Sequence, residues 1–399
     1  MKWRHRAFRC GVFWFALGAG VAGSATPAES TPAELTRRIV AHGPWPVPLT
    51  RDPANRASGN PAALEFGYRM FREPRFSTNG YIACISCHQT DRAFTDAIAR
   101  AQGLAPVGRN TPTLANLRLL RWYGWDGASD SLWMASLRPL LDAREFGGDA
   151  ARVAHVVRIG DGHACRYRRS FGAAPTVHDD LIVMVNVAKA IAAFVETLTT
   201  GRTKFDDFRD ALARGDAAAA AHYPAAARRG AELFVGKGQC AACHAGPNFS
   251  DGGFHHTGPV RARPGRADDA GREAGIAQWR LSPFNRFGRF SEGHTGAPRG
   301  EPAGLGDTAL RGQFRTPSLR NVAVTPPFMH DGSVDTLADA AAHHTLSLLT
   351  GSVDAGADVP RTEPLLPQET RDLVAFLETL TDALGAARQF PALQRPTCP

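Results

Sequence analysis

Cys84-Ile85-Ser86-Cys87-His88 is the stretch that decides the fold, and its pattern returns as Cys240-Ala241-Ala242-Cys243-His244. Cys-x-x-Cys-His is the attachment signature of a c-type haem. Each thiol can bond one vinyl group of the porphyrin, and the histidine then becomes an axial ligand of the iron. A shared zinc ribbon would need cysteine pairs much closer together in the sequence. The sequence therefore predicts two covalently bound haems, with two independent Cys/His metal sites as the alternative.

The first 25 residues have the pattern of a secretory signal peptide. A basic segment is followed by an apolar segment at 12–21 and by the small residues Gly23-Ser24-Ala25. No later apolar run reaches the roughly 18 residues that a membrane-spanning helix needs. Because c-type haems are attached outside the cytoplasmic membrane, export agrees with the haem motifs. We expect a periplasmic protein without a membrane span.

The charge pattern gives no indication of nucleic-acid binding. The formal net charge of +8 includes the basic residues of the leader. No dense run of Lys and Arg follows the leader, and haem propionates would offset part of the remaining positive charge. We therefore expect no nucleic acid among the partners.

Two cysteines remain outside the leader and the haem motifs, Cys165 and Cys398. In an oxidising compartment two spare thiols can form a disulfide. They can equally stay as two buried free thiols, and the sequence leaves both possibilities open.

The two haem motifs lie at corresponding places of an internal repeat. Gly67-x-x-x-Phe71 precedes the first motif, and Gly230-x-x-x-Phe234 precedes the second. A glycine four residues before an aromatic residue lets two helices cross closely while the ring packs at the crossing, as in cytochrome c domains. Apolar residues recur at helical spacing and strand signals are weak. We predict an all-α fold with two duplicated cytochrome c-like haem domains, long loops and little β structure.

The repeat also predicts the domain boundaries. After the signal peptide at 1–25, an irregular extension occupies 26–60. Haem domain 1 follows at 61–200, an Ala-rich linker at 201–223, and haem domain 2 at 224–399. The chain of 399 residues is long enough for two or three domains with ordinary cores.

Four further sequence boxes accompany the haem motifs. Arg109-Asn110-Thr111-Pro112-Thr113-Leu114 and Trp122-Tyr123-Gly124-Trp125-Asp126-Gly127 follow the first motif. Arg315-Thr316-Pro317-Ser318-Leu319-Arg320-Asn321 and Met329-His330-Asp331-Gly332 follow the second. In type and order these boxes resemble the bacterial di-haem cytochrome c peroxidase/MauG family, and several are most similar to its MauG/MbnH-like branch. The resemblance implies an enzyme that reacts with H2O2.

The resemblance also implies roles at the first haem. The N-terminal haem is the one that reacts with peroxide, and Glu145 takes the place of its distal acid–base group. A carboxylate above the iron can move a proton from the inner to the outer peroxide oxygen, as O–O cleavage requires. Pro139 corresponds to the residue that narrows the distal pocket, and Ala135 stands where many members have glutamine. Trp125 corresponds to the tryptophan that relays electrons between the haems, with Trp122 as the competing candidate.

The first iron is expected to be open. Classical peroxidases have a histidine between the haem motif and the relay tryptophan, and it caps this iron until the enzyme is reduced. No histidine occurs between His88 and Trp125. We therefore expect an iron that needs no reductive activation, although Met134 or His155 could still bind it.

Opposite His244, classical members have a Met, and MauG a Tyr, on the helix after the His-Asp-Gly box. The same interval counted from His330 reaches His344, beside His343. Neighbouring residues point about 100° apart on a helix, so only one can face the iron. We predict His344 as the ligand, with His343 and then Met329 as alternatives. Bis-His ligation should lower the haem potential relative to His/Met, which favours sharing of oxidising equivalents between the haems.

A calcium ion between the haems is implied by the same resemblance. Its ligands would be the Asn110 side chain and the carbonyl oxygens of Thr325 and Pro327. Ligation by oxygen atoms alone suits this hard cation.

Three functions follow from the resemblance. The favoured one is a MauG/MbnH-type oxidase, which reacts with H2O2 at the open haem, shares the oxidising equivalents with the bis-His haem, and oxidises a residue, expected to be tryptophan, of a periplasmic partner protein. The alternative is a classical cytochrome c peroxidase, which reduces H2O2 to water with electrons from small cytochromes or cupredoxins. The third is a non-enzymatic electron carrier with two six-coordinate irons.

Overall fold

The computed structural model describes residues 31–48, 50–256, 258, 269–293, 308–349, 364–382 and 398. The predicted signal peptide lies outside the described residues, as do the first residues of the extension and most of the chain after 382. The α-helices of the described residues, α1 to α13 in chain order, are Pro32–Val40, Pro61–Phe71, Cys84–Cys87, Leu132–Leu141, Ala150–Ile159, His163–Phe171, Asp180–Val195, Lys204–Arg214, Ala217–Ala221, Ala225–Val235, Arg272–Leu281, Leu337–Leu349 and Pro367–Glu378.

Strand structure is limited, in the described part of the chain, to two paired segments and a few isolated bridges. Strand β1 is Phe254–His255 and strand β2 is Phe314–Arg315. They pair antiparallel, with Phe254 opposite Arg315. The predicted all-α class is therefore confirmed. None of the described helices combines the length and the hydrophobicity that a membrane span requires.

Side-chain caps begin several of the helices. The Asn60 side chain accepts a hydrogen bond from the Ala62 backbone N–H at the start of α2, where Pro61 is the first helical residue. At the start of α7, the Asp179 carboxylate accepts from the Ile182 N–H at 2.7 Å. Such side chains satisfy N–H groups that have no partner within the helix. The helix starts are therefore encoded locally.

The core of the first half is built on the crossing of α2 and α7. A Cβ atom added to Gly67 would lie 1.8 Å from the Ala190 carbonyl oxygen, so only glycine allows this approach. One turn further on, the rings of Phe71 and Phe194 lie 5.3 Å apart. The crossing that the Gly-x-x-x-Phe pattern predicts is present, and α4, α5 and α6 complete the layer around it.

The second half repeats this arrangement with α10 and α13. A Cβ atom on Gly230 would lie 2.0 Å from the Asp372 carbonyl oxygen. The Phe234 and Phe376 rings are 5.0 Å apart at the same crossing. Because the same contact recurs in each half, the duplication inferred from the sequence is also a duplication of packing.

Two asparagines occupy equivalent positions in the two halves, and each binds the chain just after the closing helix of its half. Asn116 and Asn321 both have a φ of 63°, in the left-handed region that Asn tolerates better than most residues. The Asn116 side chain accepts a hydrogen bond from the Thr200 N–H at 2.9 Å, and the Asn321 side chain accepts one from the Asp382 N–H at 2.9 Å. Each asparagine therefore joins a loop after the haem motif to the chain beyond the closing helix of its own half.

The segment 201–223, predicted as a linker, also contributes to the second core. It forms α8 and α9, and Phe205, Phe208 and Tyr223 are buried there. The Phe208 and Tyr223 rings stack at 4.1 Å. Since these aromatic side chains lose contact with water only against the second half, the segment packs with that half as well as connecting the two.

The extension before α2 contacts both halves. Ile39 of α1 is buried in the second core. Trp45 is buried as well, and the Arg320 guanidinium lies 3.6 Å from its ring centroid. Asn55 donates a hydrogen bond to the Lys189 carbonyl on α7, in the first half. The extension is thus part of the folded structure.

Cys165 of α6 and Cys398 form a disulfide. Of the two possibilities that the sequence left open, the structure contains the bonded one. The bond joins the C-terminal end of the chain to the first half across 233 residues of sequence.

Replacement of Gly67 by alanine should weaken the first core. The added methyl group must push α2 away from α7, and overpacking of this kind lowers the free energy of unfolding by about 2 kcal/mol. The change is measurable as a lower urea midpoint. Gly108→Ala is the matched control, because a Cβ atom there meets nothing within 4 Å. Equal midpoints for the two variants would contradict the close crossing.

Candidate functional site

The two predicted axial histidines are oriented in the same way. The Nδ1 atom of His88 lies 3.0 Å from the Phe94 carbonyl oxygen, and that of His244 lies 3.0 Å from the Phe249 carbonyl oxygen. Phe94 and Phe249 both have positive φ angles. A carbonyl group can only accept, so Nδ1 carries the proton in each ring and Nε2 is available to a metal. Both side chains therefore fit an axial haem ligand.

Burial adjusts the protonation of both motifs. It lowers the pKa of His88 and of His244, which keeps the rings neutral as metal ligation requires. Burial raises the pKa of Cys84 to about 12 and that of Cys240 to about 12. The Glu145 carboxylate adds to the increase at Cys84, so this carboxylate lies near the first haem motif.

A cavity in the second half brings several predicted residues together. Its walls include Trp125, Cys240, Cys243, His244, Met329 and His344. The ring centroids of His244 and His344 are 6.5 Å apart. A bond between a metal and an imidazole nitrogen is roughly 2 Å long, so two imidazoles on opposite sides of one metal have centroids about 6 Å apart. The residues present therefore fit a haem iron with a histidine on each side.

The geometry distinguishes His344 from His343 but not from Met329. Burial, together with the neighbouring His244 and His343 rings, lowers the pKa of His344 to about 3, so the ring is neutral. His343 instead lies 3.5 Å from the Ser347 hydroxyl group, one turn further along α12. Met329 lines the same cavity as His344. These positions support His344 as the second axial ligand, which stays a prediction.

Glu145 lies in a loop that a close backbone contact holds in place. Gly103 packs against this loop, and a Cβ atom on it would lie 2.3 Å from the Arg144 carbonyl oxygen. The Leu104 N–H donates to the Glu145 carbonyl oxygen at 3.2 Å. Burial raises the pKa of the half-buried Glu145 carboxyl group, and the nearby Asp142 carboxylate adds to this. The arrangement suits an acid–base group that exchanges protons in a restricted space.

The other residues predicted around the first haem occupy different environments. Pro139 lies near the end of α4, and its carbonyl oxygen accepts from the Phe146 N–H at 3.3 Å, next to Glu145. Met134 packs on Ile276 and Trp279 of α11. His155 is exposed on α5. Pro139 is therefore beside the Glu145 loop, whereas the two alternative iron ligands are placed elsewhere.

Trp125 is fixed at the boundary between the halves. Its indole N–H donates to the Asn110 carbonyl oxygen at 2.9 Å, and its own carbonyl oxygen accepts from the Arg315 N–H at 2.8 Å. Its ring lines the second cavity. Trp122 does not line that cavity and packs instead on Trp279, with ring centroids 5.2 Å apart. Trp125 rather than Trp122 therefore contacts the second cavity, and its role as the relay stays a prediction.

A partly buried ion-pair network holds the tryptophan box, and the sequence patterns did not predict it. Arg109 contacts the Asp126 carboxylate at 2.6 Å and the Asp269 carboxylate at 2.7 Å. Arg109 belongs to the Arg-Asn-Thr-Pro box and Asp126 is the neighbour of Trp125. The sequence feature that could have predicted this network is an Arg in one box and an Asp in the next. The network holds the loop that carries Trp125.

The three residues predicted to bind calcium line one cavity. They are Asn110, Thr325 and Pro327. The side-chain NH2 group of Asn110 donates to the Ile98 carbonyl oxygen at 2.9 Å, which leaves its Oδ1 atom as the acceptor that a cation would use. The residues are compatible with a hard cation, and the calcium site stays a prediction.

His255 and Asp251 form a further pair beside the second haem motif. Their closest atoms, Nε2 and Oδ2, are 2.7 Å apart. The Asp251 carboxylate, and then the Cys243 sulfur, raise the pKa of His255 to about 10. The three side chains are close enough to hold a metal ion. Because Cys243 belongs to a haem attachment motif, we interpret the pair as support for that motif.

Comparisons with known proteins agree with this geometry. Residues 61–214 match the family model described as di-haem cytochrome c peroxidase. Methylamine utilization protein MauG of Methylorubrum extorquens is 32% identical over 337 residues, 84% of this chain and 82% of that protein. The chain belongs to the di-haem cytochrome c peroxidase/MauG family. It is accordingly a di-haem oxidoreductase that reacts with H2O2.

Other relatives come from both branches of the family. Cytochrome-c peroxidase IdrP2 of Pseudomonas sp. (strain SCT) is 30% identical, over 81% of this chain and 82% of that protein. The crystal structure of a MauG-like protein associated with microbial copper homeostasis superimposes with a TM-score of 0.63 and 26% identity. It covers 86% of this chain and 96% of that one. Membership of the family is therefore established, and the choice between its activities depends on the site.

Replacement of His344 should change the second haem alone. We expect His344→Ala to convert a six-coordinate low-spin iron into a high-spin one, because the opposing imidazole is lost. Absorption and EPR spectra of the ferric protein would measure this. His343→Ala is the matched control on the same helix and should keep the low-spin signal. The reverse pattern would assign the ligand to His343.

Proposed function

We propose that the protein is an oxidase of the MauG/MbnH type. In this proposal H2O2 reacts at the first haem, and a residue of a periplasmic partner protein, expected to be tryptophan, supplies the electrons. The observation that carries the proposal is the 6.5 Å approach of the His244 and His344 rings. A second axial histidine favours an iron that shares oxidising equivalents over one that stores an electron. The likeness to a MauG-like protein of copper homeostasis supports the same branch.

The residues that would hold the haems follow from the two motifs. Cys84, Cys87 and His88 would bind the first haem, and the second would be bound by Cys240, Cys243, His244 and His344. When bound, the haems supply the one-electron redox chemistry and the iron at which peroxide reacts. We also propose the calcium ion and the periplasmic location on the basis of the family resemblance.

In this proposal Glu145 transfers a proton between the two oxygen atoms of H2O2. A carboxylate that is half-buried near Cys84 can accept a proton from the inner oxygen of H2O2 and return it to the outer oxygen, which leaves as water. The raised pKa of Glu145 makes it a stronger base than an exposed carboxylate. The contact between the Pro139 carbonyl oxygen and the Phe146 N–H holds the loop at the end of α4.

Trp125 provides the path between the two haem pockets. Hydrogen bonds on both its indole N–H and its carbonyl oxygen hold the ring. A fixed ring keeps the distances for electron transfer constant, so little reorganisation accompanies each transfer. Trp125 therefore fits a relay of single electrons between the halves.

A classical cytochrome c peroxidase is the second candidate. The identity of 30% with a cytochrome-c peroxidase favours it, and so does Met329, a possible high-potential ligand in the wall of the second cavity. Such an enzyme would take electrons from small cytochromes or cupredoxins and release only water.

One experiment separates the two candidates. H2O2 is added to the fully oxidised protein, first alone and then with reduced cytochrome c. The MauG/MbnH-type proposal expects a near-infrared absorption band that persists for minutes without donor, slow cytochrome oxidation, and new oxygen or cross-links in tryptophan peptides of a protein encoded beside its gene. Fast cytochrome oxidation without a persistent band would favour the classical peroxidase.

Glu145→Gln should slow the reaction with H2O2 by roughly 100-fold to 10,000-fold, the range of general acid–base catalysis. Both haems should stay attached, since Glu145 is not an attachment residue. Stopped-flow absorption would measure the rate. Glu196→Gln is the control, because Glu196 is another half-buried carboxyl group, with a pKa raised to about 7, and lies at the end of α7. An unchanged rate in Glu145→Gln would remove the assignment.

The same rate should increase with pH. Glu145 accepts a proton only in its deprotonated form, and its raised pKa keeps it protonated to higher pH. As the pH is lowered, the rate should therefore begin to fall at a pH above about 4.3, the pKa of an ordinary glutamate. Rates measured between pH 4 and 8 would show this decrease in the native protein and in Glu196→Gln. A decrease in rate at low pH that persists in Glu145→Gln would be caused by the titration of another group.

A further inference from the structure

A pair of aromatic rings extends from the tryptophan box toward the protein surface. Trp122 lies three residues before Trp125, and its ring contacts that of Trp279 edge to face at a centroid distance of 5.2 Å. The Phe287 ring lies 6.2 Å beyond Trp279. Phe287 is 41% exposed, whereas Trp279 is only 4% exposed. The pair therefore runs from the loop of the relay tryptophan to within one ring of the surface.

We propose that Trp122 and Trp279 form a branch of the electron relay, and that oxidising equivalents derived from H2O2 come to rest on Trp279. This proposal rests on the proposed function, because it requires the reaction with peroxide. It adds an exit for oxidising equivalents that differs from the path between the two haems.

Close backbone contacts hold the two tryptophans at a constant distance. A Cβ atom on Gly275 of α11 would lie 2.1 Å from the Asp126 carbonyl oxygen, so the helix lies directly against the tryptophan box. The Arg272 guanidinium also donates to the Gly127 carbonyl oxygen at 2.8 Å. The rate of electron transfer falls steeply with distance. Because this packing holds the two rings at a short, constant distance, electron transfer between them stays fast.

The charges around the two rings give the branch a direction. The Arg272 guanidinium lies 4.1 Å from the Trp122 ring centroid, and a cation there disfavours positive charge on that ring. The Trp279 indole N–H donates to an Asp130 carboxylate oxygen at 2.7 Å, and this carboxylate favours positive charge on Trp279. An electron therefore moves more easily from Trp279 to Trp122 than in the reverse direction, and the oxidised site is Trp279.

Asp130 also provides a place for the indole proton. When Trp279 loses one electron, its N–H becomes acidic, and the proton can move to the Asp130 carboxylate along the existing hydrogen bond. Burial raises the pKa of Asp130, which strengthens it as an acceptor. Asp130 is thus a positioning residue that stabilises the oxidised form of Trp279.

Trp133 lacks the contacts that favour oxidation of Trp279. It is fully buried in the first core, and the Lys189 ammonium group lies 5.2 Å from its ring centroid. Within the described residues, its buried indole N–H has no hydrogen-bond partner. A nearby cation and the lack of a proton acceptor both disfavour oxidation, so Trp133 is a matched control.

Reduction of H2O2 to two water molecules consumes two electrons and two protons. With an external donor, each electron taken from Trp279 is replaced at the surface near Phe287. Without a donor, Trp279 itself supplies both electrons: one C–H bond of the indole is replaced by C–OH, and one molecule of H2O2 yields one molecule of water.

The test exposes the oxidised holoprotein to H2O2 without a donor and maps tryptophan peptides by mass spectrometry. We expect Trp279 to gain one oxygen atom and Trp133 to stay unmodified. Freeze-quench EPR should show a tryptophan radical that Trp279→Phe abolishes and Trp133→Phe retains. Asp130→Asn should lower the yield of modified Trp279 by roughly tenfold, because a charge-assisted hydrogen bond is lost.

The outcomes separate this proposal from the proposed function. H2O2 consumption is measured in the same samples with an electrode. Consumption of peroxide with unmodified Trp279 would overturn the branch and leave the oxidase function standing. No consumption by the native protein would overturn both. Should Trp279→Phe fail to fold, the peptide map of the native protein decides by itself, since equal oxidation of Trp133 and Trp279 would also overturn the branch.

Discussion

Two helix crossings without a side chain at the contact are the constraint on which the rest of the structure depends. At Gly67 and at Gly230, a Cβ atom would lie 2.0 Å or less from a carbonyl oxygen of the closing helix. This approach places the loops that follow each haem motif against the end of its closing helix, where Asn116 and Asn321 bind them. In the first half, the Phe94 carbonyl group that orients His88 belongs to the same loop as Asn116, so helix packing and ligand geometry are coupled there.

The two halves differ on the side opposite the axial histidine. In the second half α12 brings His344 to face His244. In the first half Glu145, the residue we propose for that side, comes from a loop held by Gly103 and by the end of α4. A helix can present an imidazole at a constant distance, whereas a short loop presents a carboxylate that is half-buried and able to exchange protons. The same scaffold therefore supports two kinds of pocket.

The region between the halves combines rigidity with charge. Arg109 pairs with Asp126, and Arg272 donates to the next carbonyl group, so the tryptophan box is bound from two sides. Its two tryptophans then face different ways: Trp125 lines the second cavity, and Trp122 packs on α11. Fixed rings near charged groups are suited to the transfer of electrons, because the charges set the direction and the packing sets the distance.

The sequence by itself determined the parts of this protein that short-range patterns encode. The Cys-x-x-Cys-His motifs, the repeat and the helical class follow from residue types at fixed spacing, whereas the expected place of Glu145 followed from the family resemblance. Only the tertiary structure decided which of His343 and His344, and which of Trp122 and Trp125, lines the cavity of the second half. It also decided that Met134 packs on α11, that the predicted linker joins the second core, and that the two spare cysteines are bonded. These outcomes depend on contacts between segments far apart in the chain, whose distances no local pattern specifies.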